Sequence, residues 1–142
     1  MSIWASATWT PRGDLGRFTD VTITPVALET VRQAGEMVQD AAKRLCPVAT
    51  GRLRDSILVQ VQQTEKSARA TIAPTMGYAG YVEFGTGIRG ASSPGAGQGP
   101  YSPTWPGMPA QPYMRPAFDE QKEAIKDLFR ANVSTAIRSP YA

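Results

Sequence analysis

The chain has 142 residues, enough for one domain with one modest core. At 42% apolar and 19% charged residues it reads as globular, and a net charge of +3 is too small by itself to point to nucleic acid. With no histidine and a single cysteine, the composition excludes Ser-His and Cys-His catalysis, His-ligated zinc and an internal disulfide. No apolar run approaches the roughly 20 residues that span a bilayer, and the N-terminus lacks the basic-then-apolar pattern of a signal peptide.

Residues 1–17 carry Trp4 and Trp9 with no sustained period. Two indoles hold more apolar area than a free tail leaves in water. This arm is therefore expected to pack on a neighbouring subunit or across its own domain. Residues 17–24, RFTDVTIT, alternate Phe18, Val21 and Ile23 imperfectly and read as a short strand. Thr24-Pro25 is a helix-start signal, a hydroxyl N-cap followed by proline at the first helical position. Beyond it Leu28, Val31, Ala34, Val38, Ala41, Ala42 and Leu45 recur at spacings of three and four, down to Cys46 and the stop at Pro47. The opposite face carries Glu29, Arg32, Glu36, Asp40, Lys43 and Arg44, and reads as solvated or as a partner contact.

PVATGRLRDS reads as a loop. Lys43 and Arg44 before it and Arg52 and Arg54 within it fall in 12 residues that hold no acid before Asp55. Such a run is either a solvated turn or a positive surface facing an acidic partner or DNA phosphates. In SILVQVQQ, Ile57, Val59 and Val61 face one way and Leu58, Gln60 and Gln62 the other, a half-buried strand. After TEKS, ARATIAP returns with Ala68, Ala70 and Ile72 inward, closing an antiparallel hairpin. GYAGYVEFGT offers a third strand or a short helix-strand step, and the strand reading places Glu83 between aromatics.

Residues 85–112 change character, with seven glycines and six prolines and with Tyr101, Trp105 and Met108 among them. Neither helix nor central strand is expected there. Fully extended, the span reaches on the order of 85 Å, which suits a loop that binds something. The last segment, RPAFDEQKEAIKDLFRANVSTAIRS, is a helix with Pro116 in its first turn and an apolar stripe of Phe118, Ile125, Leu128, Phe129, Val133 and Ile137. Asp119, Glu123 and Asp127 form an acidic row beside the basic row Lys122, Lys126 and Arg130. Those rows can pair within the helix, or between copies packed side by side in a ring.

Chemistry finds little support. Gly85-Thr-Gly-Ile-Arg-Gly90 has the G-x-G-x-x-G spacing, but the third glycine leads into ASSPGAGQGP, which cannot open the helix that receives a pyrophosphate. The chain also has no room for a kinase lobe. Asp55 and Glu83 are read as unrelated surface or salt-bridged carboxylates rather than an acid-base pair. Cys46 reads as a small buried apolar residue. No catalytic residue, metal ligand set or cofactor is expected.

Three blocks in order, Thr50-Gly51-Arg52-Leu53 with Ser56, Tyr78-Ala79 with Tyr81 to Thr86, and Gln111 to Ala117, resemble the small tail-completion or neck proteins of long-tailed bacteriophages, also described as head–tail joining or minor tail components. The resemblance runs from about Thr24 to Ala136. The long insert GIRGASSPGAGQGPYSPTWPGMP and the tryptophan-bearing arm depart from the family pattern. It implies a non-enzymatic virion protein that forms a ring between the portal side and the tail tube. Its partners would be other copies, adjacent connector and tail-tube or tail-terminator proteins, and DNA passing through the lumen without sequence-specific binding. It would sit in the host cytoplasm during assembly and in the virion afterwards. Interface candidates are Trp4, Trp9, Arg52, Arg54, Glu83, Tyr101, Trp105, Arg115 and the charged rows Asp119, Lys122, Glu123, Lys126, Asp127 and Arg130.

The expected fold is α+β: a long N-terminal helix and a C-terminal helix packed on a small, mainly antiparallel sheet. Residues 1–24 would form an arm with a short strand, and 25–142 one domain. Because burying an unpaired carboxylate in a strand is costly, Glu83 is expected to meet the guanidinium of Arg115 or Arg52. The rival readings are a tail terminator and, from another class, a nucleic-acid-binding module using the basic cluster between Lys43 and Arg54.

Overall fold

The computed structural model describes residues 5–9, 24–64, 67–91 and 104–138. In chain order these are strand β1 (Ala5–Trp9), helix α1 (Thr24–Leu45), the single turn α2 (Arg52–Asp55), strands β2 (Ile57–Gln63) and β3 (Ala68–Pro74), the short helices α3 (Ala79–Phe84) and α4 (Gly87–Ala91), and helix α5 (Met114–Arg138). The class is α+β, with a long helix at each end of the segment 24–138.

The sheet is antiparallel in the order β1-β3-β2. Its hairpin follows the alternation in the side chains: Ile57, Ala68, Ala70 and Ile72 are buried, whereas Leu58, Gln60, Gln62 and Arg69 are exposed. Thr64 closes the turn through its N–H to the Ser67 carbonyl at 2.8 Å. Ala5 lies opposite Ile72 and Trp9 opposite Ala68. The additional strand therefore comes from residues 5–9, whose short alternation, Ala5, Ala7 and Trp9 against Ser6 and Thr8, was not read as a strand. The strand expected over residues 17–24 lies outside the described residues, save Thr24, which begins α1.

Helix α1 is 22 residues long, about 33 Å. Val31, Ala34, Val38, Ala41 and Ala42 are buried along it, as their spacing requires. Gly35 lets it settle close to the sheet, since a Cβ there would stand 2.8 Å from Val59 Cγ1 and 3.0 Å from Ala70 Cβ. Gln39 Nε2 donates to the Ile57 carbonyl at 2.7 Å. That carbonyl is free to accept because the Thr75 N–H bonds Ser56, one register step away, so Ile57 turns its polar groups outward from β3.

Helix α5 is stacked mainly on α1 and reaches the sheet at β1. Three strands about 4.8 Å apart offer a face scarcely wider than one helix, and α1 occupies it. Arg44 near the C-terminal end of α1 pairs with Glu120 near the start of α5, while Asn132 Nδ2 donates to Thr30 Oγ1 at 2.9 Å at the other end. The two helices therefore run antiparallel. Ile125 is buried and Phe118, Leu128 and Phe129 half-buried along the α5 stripe, as expected.

A candidate assembly interface at one end of the domain

The antiparallel helices give the molecule two ends. The hairpin turn lies near the start of α1. The loop after α1, α2, α3, α4 and the N-terminus of α5 meet at the other end, held by one buried carboxylate and one backbone clip.

The carboxylate is Glu83, 3% exposed. It sits on a helix, not a strand: Ala79, Gly80, Glu83 and Phe84 are buried at helical spacing, and Tyr78 and Tyr81 share the outer face. Its partner is also not a guanidinium, which corrects both candidates. Glu83 Oε2 accepts the backbone N–H groups of Tyr113 at 2.8 Å and Met114 at 3.0 Å, and Oε1 accepts that of Arg115 at 3.1 Å. These are amides that α5 cannot satisfy within itself at its N-terminus, where the helix dipole also favours a negative charge. The Gln111 N–H adds a bond to the Val82 carbonyl at 2.8 Å. Arg115 contributes its main chain while its side chain is exposed.

The clip closes the Gly/Pro-rich span. Thr86 and Met108 exchange backbone bonds at 2.9 and 3.1 Å, the Ile88 N–H donates to the Trp105 carbonyl at 3.0 Å and the Arg89 N–H to the Pro106 carbonyl at 2.9 Å. These external acceptors hold Gly87–Ala91 as a helical turn, so residues 85–112 are not devoid of helix as expected. The two strands of this clip touch through glycine. Gly87 has φ +60° and a Cβ on it would lie 2.5 Å from the Trp105 carbonyl oxygen; at Gly107, φ +62°, a Cβ would overlap the Thr86 carbonyl. The first two glycines of the G-x-G-x-x-G spacing thus serve a backbone clip.

Around these supports, apolar side chains face water. Val48, Tyr78, Tyr81, Ile88 and Trp105 are exposed, the last at 53%, and all belong to elements meeting at this end; Leu58 is exposed on the outer sheet face. Beneath them Tyr113 is fully buried, with no hydrogen bond to its hydroxyl from the described residues, and burial raises its pKa. Cys46 is buried beside it, and burial raises the thiol pKa as well. Cys46 is therefore expected to react with iodoacetamide at pH 8 at least 10-fold more slowly in the folded protein than in urea, as read by mass spectrometry.

The basic cluster is partly neutralised, since Arg44 is paired with Glu120 and Arg54 with Asp55 at 2.9 Å; Arg52 is exposed. Gly51 makes the bend before α2, with φ +80°. On α5 the rows pair internally: Lys126 with Glu123 at 2.6 Å and Arg130 with Asp127 at 2.9 Å, and Lys126 holds the Glu123 carboxyl below its ordinary range. Asp119 and Lys122 are exposed. All these pairs are exposed, so Arg44→Ala is expected to leave the urea unfolding midpoint close to that of the parent. Trp4 and Tyr101 lie outside the described residues, and of Trp9 only the backbone, in β1, is described.

Thr86, Ile88 and Gly107 are not among the interface candidates named from the sequence, although Thr86 closes the second resemblance block. The signal for them is the GTG that directly follows the tyrosine-rich segment. The model of the HK97-gp10-like family, described as "Bacteriophage HK97-gp10, putative tail-component", matches residues 14–85. Comparison with curated proteins and with solved structures gave no match.

Proposed function

Because the chain belongs to the HK97-gp10-like family of bacteriophage tail components, we propose that this structural protein of the phage tail or neck joins the DNA-filled head to the tail, assembling there as a ring. The family match carries this reading. It covers α1, α2, the hairpin and α3, the frame that holds Glu83, and the end of the domain supported by that frame presents Tyr78, Tyr81, Ile88 and Trp105 to solvent. A small domain that keeps such residues in water is built for a partner surface. The partners in this reading are neighbouring copies, the adjacent connector ring and the tail-tube or terminator proteins. DNA passes through the lumen with no base-specific contact. The role is mechanical and needs no catalysis or cofactor.

Electron microscopy of a lysate from phage lacking the gene tests it. Separate DNA-filled heads and tails of finished length are expected. Overlong tails would assign the protein to termination of the tube, and normal infectious particles would overturn a virion role.

A further inference from the structure

The sheet edge at β3 is completed by a strand from outside the family segment. Residues 14–85 contain α1, β2 and β3, whereas β1 lies at Ala5–Trp9. Strand β1 thus lies outside the matched segment, yet it pairs with β3 over five residues and lies against α1 and α5. Without it, the β3 backbone that carries the buried Ala70 and Ile72 would be an open edge, a ready template for another strand.

The connection between β1 and α1 is longer than the path requires. Trp9 lies opposite Ala68, at the hairpin-turn end of the sheet, and α1 begins at that same end, because Gly35 lies over Val59 and Ala70 while Gln39 reaches Ile57. Residues 10–23, 14 in all, separate two points at one end of the domain. Extended, that length reaches roughly 45 Å, farther than α1 is long. Main-chain pairing is indifferent to which copy supplies the strand, so the same register can be filled by a neighbour's arm.

We propose that β1 is exchanged between copies: in the assembled protein the Ala5–Trp9 strand of one copy fills the β3 edge of the next. This rests on the reading that copies assemble side by side. It makes each subunit's sheet incomplete without its neighbour, and it makes the arm the connecting element.

Engineered cysteines test the exchange. Thr8 and Arg69 are opposed in the register, and Arg69 is exposed on the sheet face away from α1. By alternation they form a non-hydrogen-bonded pair, whose Cα separation of about 4.5 Å suits a disulfide. Two differently tagged full-length chains, one Thr8→Cys and one Arg69→Cys, both carrying Cys46→Ser, are co-expressed, oxidised and run on a non-reducing gel. Light scattering gives the oligomeric state of the same sample, and the double-cysteine chain serves as the pairing control. Oligomers with a disulfide joining the two tagged chains are the expected result. Oligomers in which only the double-cysteine chain closes on itself would overturn the exchange and leave self-assembly standing. A monomer would overturn both. Failure of the control to form any disulfide would overturn the pairing of β1 with β3 on which the exchange depends.

Discussion

Replacing Glu83 with alanine is expected to destabilise the protein by about 3 kcal/mol, and to lower its melting temperature by roughly 10 °C at this chain length. The carboxylate satisfies three main-chain donors at the start of α5, two of them in bonds that are themselves buried. Bonds to a charged acceptor contribute about 1.5–3 kcal/mol each, but donors clustered on one group are not additive, and water admitted by the truncation recovers part of the loss. Glu83→Gln should fall between the two: it keeps one accepting oxygen, loses the charge that complements the helix dipole, and turns an NH2 group toward an amide. Arg115→Ala should stay within about 0.5 kcal/mol of the parent, because Arg115 is held through its backbone. Urea titrations of the three variants distinguish an amide cap from an ion pair. Equal damage from Arg115→Ala and Glu83→Ala would restore the guanidinium model and refute the cap.

Gly107→Ala is the second large effect. A methyl group there overlaps the Thr86 carbonyl, at a φ of +62° that side-chain-bearing residues rarely adopt. The obstacle is backbone on both sides, so no rotamer relieves it and the clip must open. Amide hydrogen exchange at Thr86, Ile88, Arg89 and Met108 should accelerate about 100-fold, equivalent to ~2.7 kcal/mol of lost local stability. Amides of β2 and β3 should change little. Gly77→Ala is the control, because a Cβ at that position meets nothing within 4 Å. Unchanged protection at Thr86 and Met108 in Gly107→Ala would mean that the Gly/Pro-rich span is not held at its root.

How much of this was legible in the sequence depends on the range of the interaction. The apolar face of α1, the alternation of β2 and β3 and the stripe of α5 are local patterns, and each reappears in the structure. Strand β1 was not read although Ala5-Ser-Ala-Thr-Trp9 alternates, because five residues with two alanines on the apolar side give a weak signal; the strand is defined by main-chain pairing to residues some sixty positions away. Helix α3 hid its period because Tyr78, Tyr81 and Phe84 read as a β-prone run until burial separates Ala79, Gly80, Glu83 and Phe84 from the tyrosines. A buried glutamate called for a cation, and two arginines were available, but three converging amides satisfy its oxygens instead and carry no sequence signature. Helix α4 defied its composition because carbonyls of residues 105 and 106 supply acceptors from across the span. On α5 both readings of the charge rows began from the same spacing, and the observed pairs are those within the helix.

The central claim is that the end of the domain held by Glu83 and the Thr86–Met108 clip is the surface by which the protein joins its neighbours in the virion. Complementation of a phage lacking the gene with the double variant Ile88→Asp, Trp105→Ala tests this most directly. Both side chains are more than half exposed, so the melting temperature should stay within about 2 °C of the parent. Infectious titre should nevertheless fall at least 100-fold, with DNA-filled heads and finished tails lying apart in the micrographs. Full titre and joined particles from this folded variant would contradict the claim.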